Sequence, residues 1–134
     1  MTIDTHQALD FTLTALCVYR EARGEPLEGK RAVAFVIRNR TLQPGWWGHD
    51  WASIILHPYQ FSAFNWNNQN VHVWPAKSET AWQECLQVSE EAWTPDFPDP
   101  TGGATHYFDD SIKPPLWSKN MTQTLRIGRL TFFR

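Results

Sequence analysis

Two consecutive stretches of helical apolar periodicity, separated only by Gly24-Glu25-Pro26, constrain the fold of this chain more than any other feature. Over residues 5–23, apolar side chains recur at Leu9, Leu13 and Leu16 and again at Phe11, Ala15, Val18 and Ala22. This is the three-and-four spacing of two adjoining helical stripes, and so wide an apolar face predicts a mostly buried helix. Gly24 supplies a stop signal, and Pro26 suits the first turn of a second helix, where its missing N–H costs nothing. That second helix, residues 26–40, is nearly all apolar through Ala32-Val33-Ala34-Phe35-Val36-Ile37. The pair is the expected core.

The length of 134 residues, with 42% hydrophobic and 19% charged, fits one globular soluble domain spanning residues 1–134 and excludes disordered and membrane-spanning classes. Twelve Lys and Arg against fourteen Asp and Glu leave a net charge of -2, so no general attraction for nucleic acid is expected. The first ten residues contain acids and lack a basic segment followed by an apolar one, so no secretory signal peptide is expected. Cys17 and Cys85 lie among apolar residues without a CxxC spacing and read as reduced core thiols. His6, His49, His57, His72 and His106 show no ligand spacing, and no metal or organic cofactor is expected.

Further along, Asp50 can cap a short helix over residues 51–56, and residues 78–93 return to helical periodicity through Ala81, Cys85, Val88 and Ala92. The proline-rich residues 94–100 read as an extended connector. Residues 103–108 look like a strand, and residues 124–127 and 130–133 flank Gly128-Arg129, a pair suited to a type II′ hairpin. The fold class expected is α+β, mainly helical with a small antiparallel sheet. Residues 79–110 carry eight acids and no Lys or Arg, whereas residues 111–134 carry five basic residues and no acid. The basic tail reads as a solvated face balancing the acidic helix, with contact to an anionic polymer as the alternative.

Eight Trp residues exceed what a core of this size requires, and Trp46, Trp47, Trp51, Trp66 and Trp74 crowd the middle of the chain. Indole faces stack on pyranose rings, but they serve nucleobases, partner proteins and plain core packing as well. The surrounding amides, Gln60, Asn65, Asn67, Asn68, Gln69 and Asn70, suit hydrogen bonding to hydroxyl and acetamido groups, or equally an irregular surface loop. Glu21 is the leading candidate for chemistry. It closes a mostly apolar helix, where burial and the negative end of the helix dipole both raise a carboxyl pKa, as a general acid requires. Pairing with Arg20 or Arg23 is the structural alternative. Glu25 follows four residues later, but Gly24 and Pro26 argue against one helix face carrying both; a second carboxylate at a suitable distance would permit direct hydrolysis.

The run Ala15-Leu16-Cys17-Val18-Tyr19-Arg20-Glu21-Ala22-Arg23-Gly24-Glu25-Pro26, continued by Gly29, Ala32-Val33-Ala34 and Asn39-Arg40, resembles the signature of the SleB/CwlJ-type cell wall hydrolases. Gln60-Phe61-Ser62, Gly102-Gly103-Ala104-Thr105-His106-Tyr107, Pro115 with Trp117, and Ile127-Gly128 with Phe132 are similar to that family's later elements, in the same order. The resemblance implies a compact lysozyme- and transglycosylase-like fold and an enzyme that cleaves the glycan strands of peptidoglycan; a monomer without stable membrane insertion is expected. It implies Glu21 as the catalytic acid and Gln60, Ser62, His106 and Tyr107 as substrate-binding residues, although His106 could equally be a core histidine; Glu25, beside Glu21, is a further substrate-binding candidate. Leu130 departs from the pattern, because the family usually has His there. Lytic transglycosylation between N-acetylmuramic acid and N-acetylglucosamine is the expected reaction. A hydrolytic muramidase using Glu21 and Glu25, an amidase and a non-catalytic glycan-binding module are the alternatives. The expected setting is a phage endolysin made in the host cytoplasm and released to the wall.

Overall fold

A computed structural model describes residues 4–57, 60–61, 68 and 72–134. The first helix, α1 (Thr5–Ala22), opens on a reciprocal cap. The Asp4 carboxylate accepts from the Gln7 N–H at 2.8 Å and the Gln7 side chain accepts from the Asp4 N–H at 2.9 Å. Such a box satisfies two otherwise orphaned groups and is worth about 1 kcal/mol. Leu9 in the first half remains exposed, whereas Thr14 to Arg20 and Ala22 are all buried, so the helix drives its C-terminal end into the molecule. Glu21 stands at that inner end.

Helix α2 (Leu27–Leu42) begins one residue after Pro26, which serves as its N-cap. Its six residues from Ala32 to Ile37 are fully inaccessible, as expected of a helix apolar on all sides. Helices α3 (Trp51–Ile55), capped by Asp50 as expected, and α4 (Thr80–Trp93) pack around α1 and α2. Arg31 ties α2 to α4 through Glu91 at 2.6 Å, and Lys30 reaches Glu84 at 3.4 Å while also donating to the Glu25 carbonyl. Both cysteines are buried free thiols.

Residues 94–100 differ from the extended connector that their prolines predict. The Phe97 N–H donates to the Thr94 carbonyl at 3.1 Å, forming a turn. Arg38 then donates to the Phe97 and Pro95 carbonyls at 2.8 and 2.7 Å. The turn persists because a guanidinium on α2 satisfies carbonyls that no strand pairs.

Three short strands follow: β1 (His106–Asp109), β2 (Gln123–Ile127) and β3 (Leu130–Phe133). They form an antiparallel sheet in the order β1-β3-β2, with Tyr107 opposite Phe132 and Phe108 opposite Thr131. The α+β architecture expected from the sequence is the one found. All four residues of β3 are buried, as befits the central strand. The basic tail balances different acids from those expected: Arg126 and Arg129 pair with Asp109 and Asp110 beside them, not with α4, whose Glu91 and Glu84 are already engaged by α2.

The β2–β3 turn docks on the α1–α2 corner. Gly128 has φ +55, in the left-handed region, and a Cβ there would collide with Glu25 Oε2. Gly128→Ala is therefore expected to lower stability by about 1–3 kcal/mol, chiefly through backbone strain, with the Glu25 carboxylate shifting aside. Gly24→Ala, at a site with nothing within 4 Å of the added carbon, is expected to be near neutral. Denaturant unfolding of both variants compares the two.

Candidate active site

The inner end of α1 opens into a cleft of about 450 Å³ whose walls include Glu21, Arg40, Gln60, Phe61, His106, Tyr107, Trp117 and Leu130. A second cavity of about 350 Å³ adjoins it, lined by Arg20, Glu21, Arg23, Glu25, Asp109 and Arg129. Glu21 and Asp109 border both. Of the residues expected at the site, Glu21, Gln60, His106 and Tyr107 converge on the larger cavity, and Glu25 lies on the smaller one beyond Glu21. Ser62 and Trp66 lie outside the described residues.

Each wall is positioned by a separate local cause. Alternation along β1 sends Tyr107 to one side and His106 with Phe108 to the other. Tyr107 packs on Phe132 at 5.5 Å between ring centres and its phenol hydrogen-bonds to the Glu21 side chain. Burial, with the Glu21 charge beside it, pushes this phenol well above its ordinary pKa, so it remains a proton-bearing donor. Oε1 of Glu21 is shielded from solvent.

The floor is a buried guanidinium. Arg40, 5% exposed, donates from Nε to the Thr105 carbonyl at 2.8 Å and from Nη1 to Gln60 Oε1 at 3.4 Å. Its charge also lies over the rings of Trp47 and Phe61, at 5.4 and 5.3 Å. Beside it, Asn39 Nδ2 donates to the Ala104 carbonyl at 2.8 Å, to Asp99 Oδ2 at 3.0 Å and to Thr101 Oγ1 at 3.2 Å. These contacts fasten the segment entering β1 to the last turns of α2. The sequence marked Arg40 as part of a motif but assigned it no role. A basic residue following the apolar run on an otherwise buried helix was the available signal.

The two nearest acids are held differently. Asp109 Oδ1 accepts from the Ser111 N–H at 2.8 Å, and this contact, with Arg129 at 3.4 Å, holds its carboxyl below the usual range. It is thus ionised at neutral pH and a poor proton donor. Glu25 is packed against Gly29 and Gly128, which fits it to hold the corner between α1 and the hairpin.

The tryptophans do not form one cluster. Trp51 stacks on Trp93 at 5.0 Å at the α3–α4 contact, and Trp74 lies under the Arg20 guanidinium at 4.9 Å. Trp47 instead meets His106, and Trp117, outside the crowded stretch, joins the cleft wall. The turn before α3 separates Trp47 from Trp51. Leu130, where His was expected by resemblance, is a buried apolar element of the cleft. Among the described residues, no group of three His, Cys, Asp or Glu side chains is arranged for a metal ion, and no helix is long and apolar enough to cross a membrane.

Burial and the nearby Arg40 charge lower the pKa of His106 below its ordinary value of 6.5. Protonation therefore favours the unfolded chain, and stability present above about pH 6.5 is lost as pH falls toward the folded-state value. His106→Gln is expected to remove this component, so its melting temperature should fall less than that of the unsubstituted protein between neutral pH and about pH 5. Parallel thermal melts across that range measure it.

Comparison with known proteins gives a consistent grouping. A family model described as cell wall hydrolase matches residues 24–133, beginning just after Glu21. A spore cortex-lytic enzyme of Halalkalibacterium halodurans is 34% identical over 123 residues, covering 92% of this chain and 34% of that protein. The spore cortex-lytic enzyme of Bacillus subtilis is 33% identical, covering 92% of this chain and 37% of that protein. The chain thus spans little more than a third of these relatives' length. Among solved structures, the catalytic domain of the germination-specific lytic transglycosylase SleB from Bacillus anthracis superposes with a TM-score of 0.78 at 26% identity, covering 99% of this chain and 100% of that one. The catalytic domain of Bacillus cereus SleB gives 0.70 at 31% identity, covering 93% and 89%.

Proposed function

The chain belongs to the cell wall hydrolase family, and from that premise we propose that it degrades peptidoglycan by lytic transglycosylation, with Glu21 as the acid. One observation carries this reading: Glu21 stands where the two cavities meet, one oxygen shielded from solvent and the side chain bonded to the Tyr107 phenol. A strand lying through both cavities would cross that carboxyl at mid-length.

In the proposed reaction the Glu21 carboxyl proton passes to the oxygen linking N-acetylmuramic acid to N-acetylglucosamine, and the muramyl C1–O bond breaks. The muramyl 6-hydroxyl then closes onto C1 and gives its proton to the Glu21 carboxylate. No water is consumed, and Glu21 is restored as acid. The attacking hydroxyl belongs to the same sugar, so the step gains the proximity advantage of an intramolecular reaction. Tyr107 holds the carboxyl in place and stabilises its charged form after proton transfer. Gln60 offers amide contacts to hydroxyl or acetamido groups, and no cofactor takes part.

Hydrolysis with Glu25 as a second carboxylate is the competing reading, because Glu25 and Glu21 share the smaller cavity. Its packing against the hairpin counts against it. The endolysin setting belongs to this proposal too, although the relatives bear the name of spore cortex-lytic enzymes; either setting presents the same bond.

Mass analysis of digested peptidoglycan distinguishes the outcomes. Transglycosylation leaves 1,6-anhydromuramyl ends, whereas exclusively reducing ends mean hydrolysis and free peptides mean amidase action. Glu21→Gln is expected to reduce product release by about 10²–10⁴-fold while leaving the melting temperature near that of the parent. Tyr107→Phe is expected to reduce it by about tenfold, the equivalent of one charge-assisted hydrogen bond. A binding module would release no product with any of these chains.

A further inference from the structure

The aromatic wall of the cleft continues beyond it. The His106 ring lies 5.0 Å from Trp117 and 5.9 Å from Trp47; Trp47 lies 5.4 Å from Trp46, and Trp46 lies 5.7 Å from His57. Five rings therefore run in unbroken contact from the cleft to open solvent. The inner members are fixed. Trp47 Nε1 donates to the carbonyls of Arg40 and Gln43 at 3.1 and 3.0 Å, and its face carries the Arg40 guanidinium.

The outer member is held just as firmly by its backbone but has an uncovered ring. Gly45 and Gly48 exchange two backbone hydrogen bonds, at 3.3 and 3.1 Å, closing a tight turn around Trp46 and Trp47. Gly48 has φ +125 and packs so closely on α3 that a Cβ would stand 2.7 Å from Ser53 Oγ. Trp46 is nevertheless 60% exposed. A large ring on a rigid turn loses little conformational freedom when a ligand covers it, the economy that makes Trp a frequent anchor in binding surfaces. The ladder's only titratable members are two imidazoles, and burial beside Arg40 favours the neutral form of His106. Flat apolar faces of this kind match the apolar face of a neutral pyranose better than a phosphate or an acidic peptide.

We infer that Trp46, with Trp47 and His57 beside it, forms a distal subsite that stacks a further N-acetylhexosamine unit of the glycan strand held in the cleft. This rests on the proposed function, because the occupant is taken to be the same strand that Glu21 cleaves. Continuity of the ladder with the cleft wall selects that occupant over a separate partner. The consequence is a preference for long strands over short fragments.

Isothermal titration with chitohexaose, the β-1,4-linked hexamer of N-acetylglucosamine, tests the subsite in the Glu21→Gln background, where no cleavage intervenes. Adding Trp46→Ala is expected to weaken binding by about tenfold, the loss of one well-covered aromatic contact, and Trp46→Phe should recover most of it. A Trp46→Ala chain that binds the hexamer within about twofold of its parent overturns the inference, as does a parent that binds no hexamer. Unchanged melting temperatures show that the turn is intact. Digest products of the unsubstituted protein are read alongside. If these are free peptides while hexamer affinity still depends on Trp46, the reaction proposed above fails and the subsite stands; anhydromuramyl products with no Trp46 effect give the reverse.

Discussion

The cleft depends on the burial of one positive charge. A guanidinium removed from water must be surrounded by acceptors and polarisable faces, and removing the partners of a buried charge costs about 3–5 kcal/mol. Arg40 meets that demand through the Thr105 carbonyl, the Gln60 amide and two aromatic rings. These partners come from three different parts of the chain: Thr105 from the approach to β1, Gln60 and Phe61 from the segment after α3, and Trp47 from the turn after α2. Satisfying the charge therefore brings the separate walls of the cleft together. Asn39, one residue earlier, adds three donated bonds to the same approach segment, so α2 and β1 are fixed in both distance and direction.

This dependence explains which parts were legible in the sequence. Helices α1 to α4 were visible because period and caps are local, and Glu21 was visible because it follows directly from where α1 ends. The hairpin was visible for a similar reason: Gly128 supplies the positive φ that its turn requires. The placement of Gln60, His106 and Tyr107 around one cavity came from family resemblance rather than from spacing. Nothing in local patterning says that Arg40 reaches across 65 residues of chain to Thr105.

The tryptophans illustrate the same limit. Trp47 and Trp51 belong to the crowd of tryptophans in the middle of the chain that suggested a sugar-binding surface. Asp50 starts a new helix between them, with its carboxylate accepting from the Ser53 N–H at 2.8 Å. The chain direction changes there, sending Trp51 toward Trp93 and leaving Trp47 on His106. The fold separates close neighbours and brings the distant Trp117 to the cleft. Likewise, the clustering of acids and bases gave the sign of each segment but not its partners, since Asp109 and Asp110 lay nearest to Arg126 and Arg129.

The carboxylates of the two cavities show why a one-acid mechanism suits this arrangement. Asp109 is ionised because the Ser111 N–H and Arg129 hold its charge, both at Oδ1. Glu25 is wedged between Gly29 and the hairpin turn, and freeing it would loosen the corner it holds. Glu21 has one oxygen shut away from solvent and a phenol that remains a donor beside it. Different environments distinguish neighbouring carboxyl groups, and of the three Glu21 is the one whose surroundings suit the acid proposed above. Direct hydrolysis asks for another carboxylate free to activate water, whereas intramolecular closure asks only that the same acid recover its proton. A cleft with one shielded carboxyl beside a donor phenol meets the second requirement with the groups already in place.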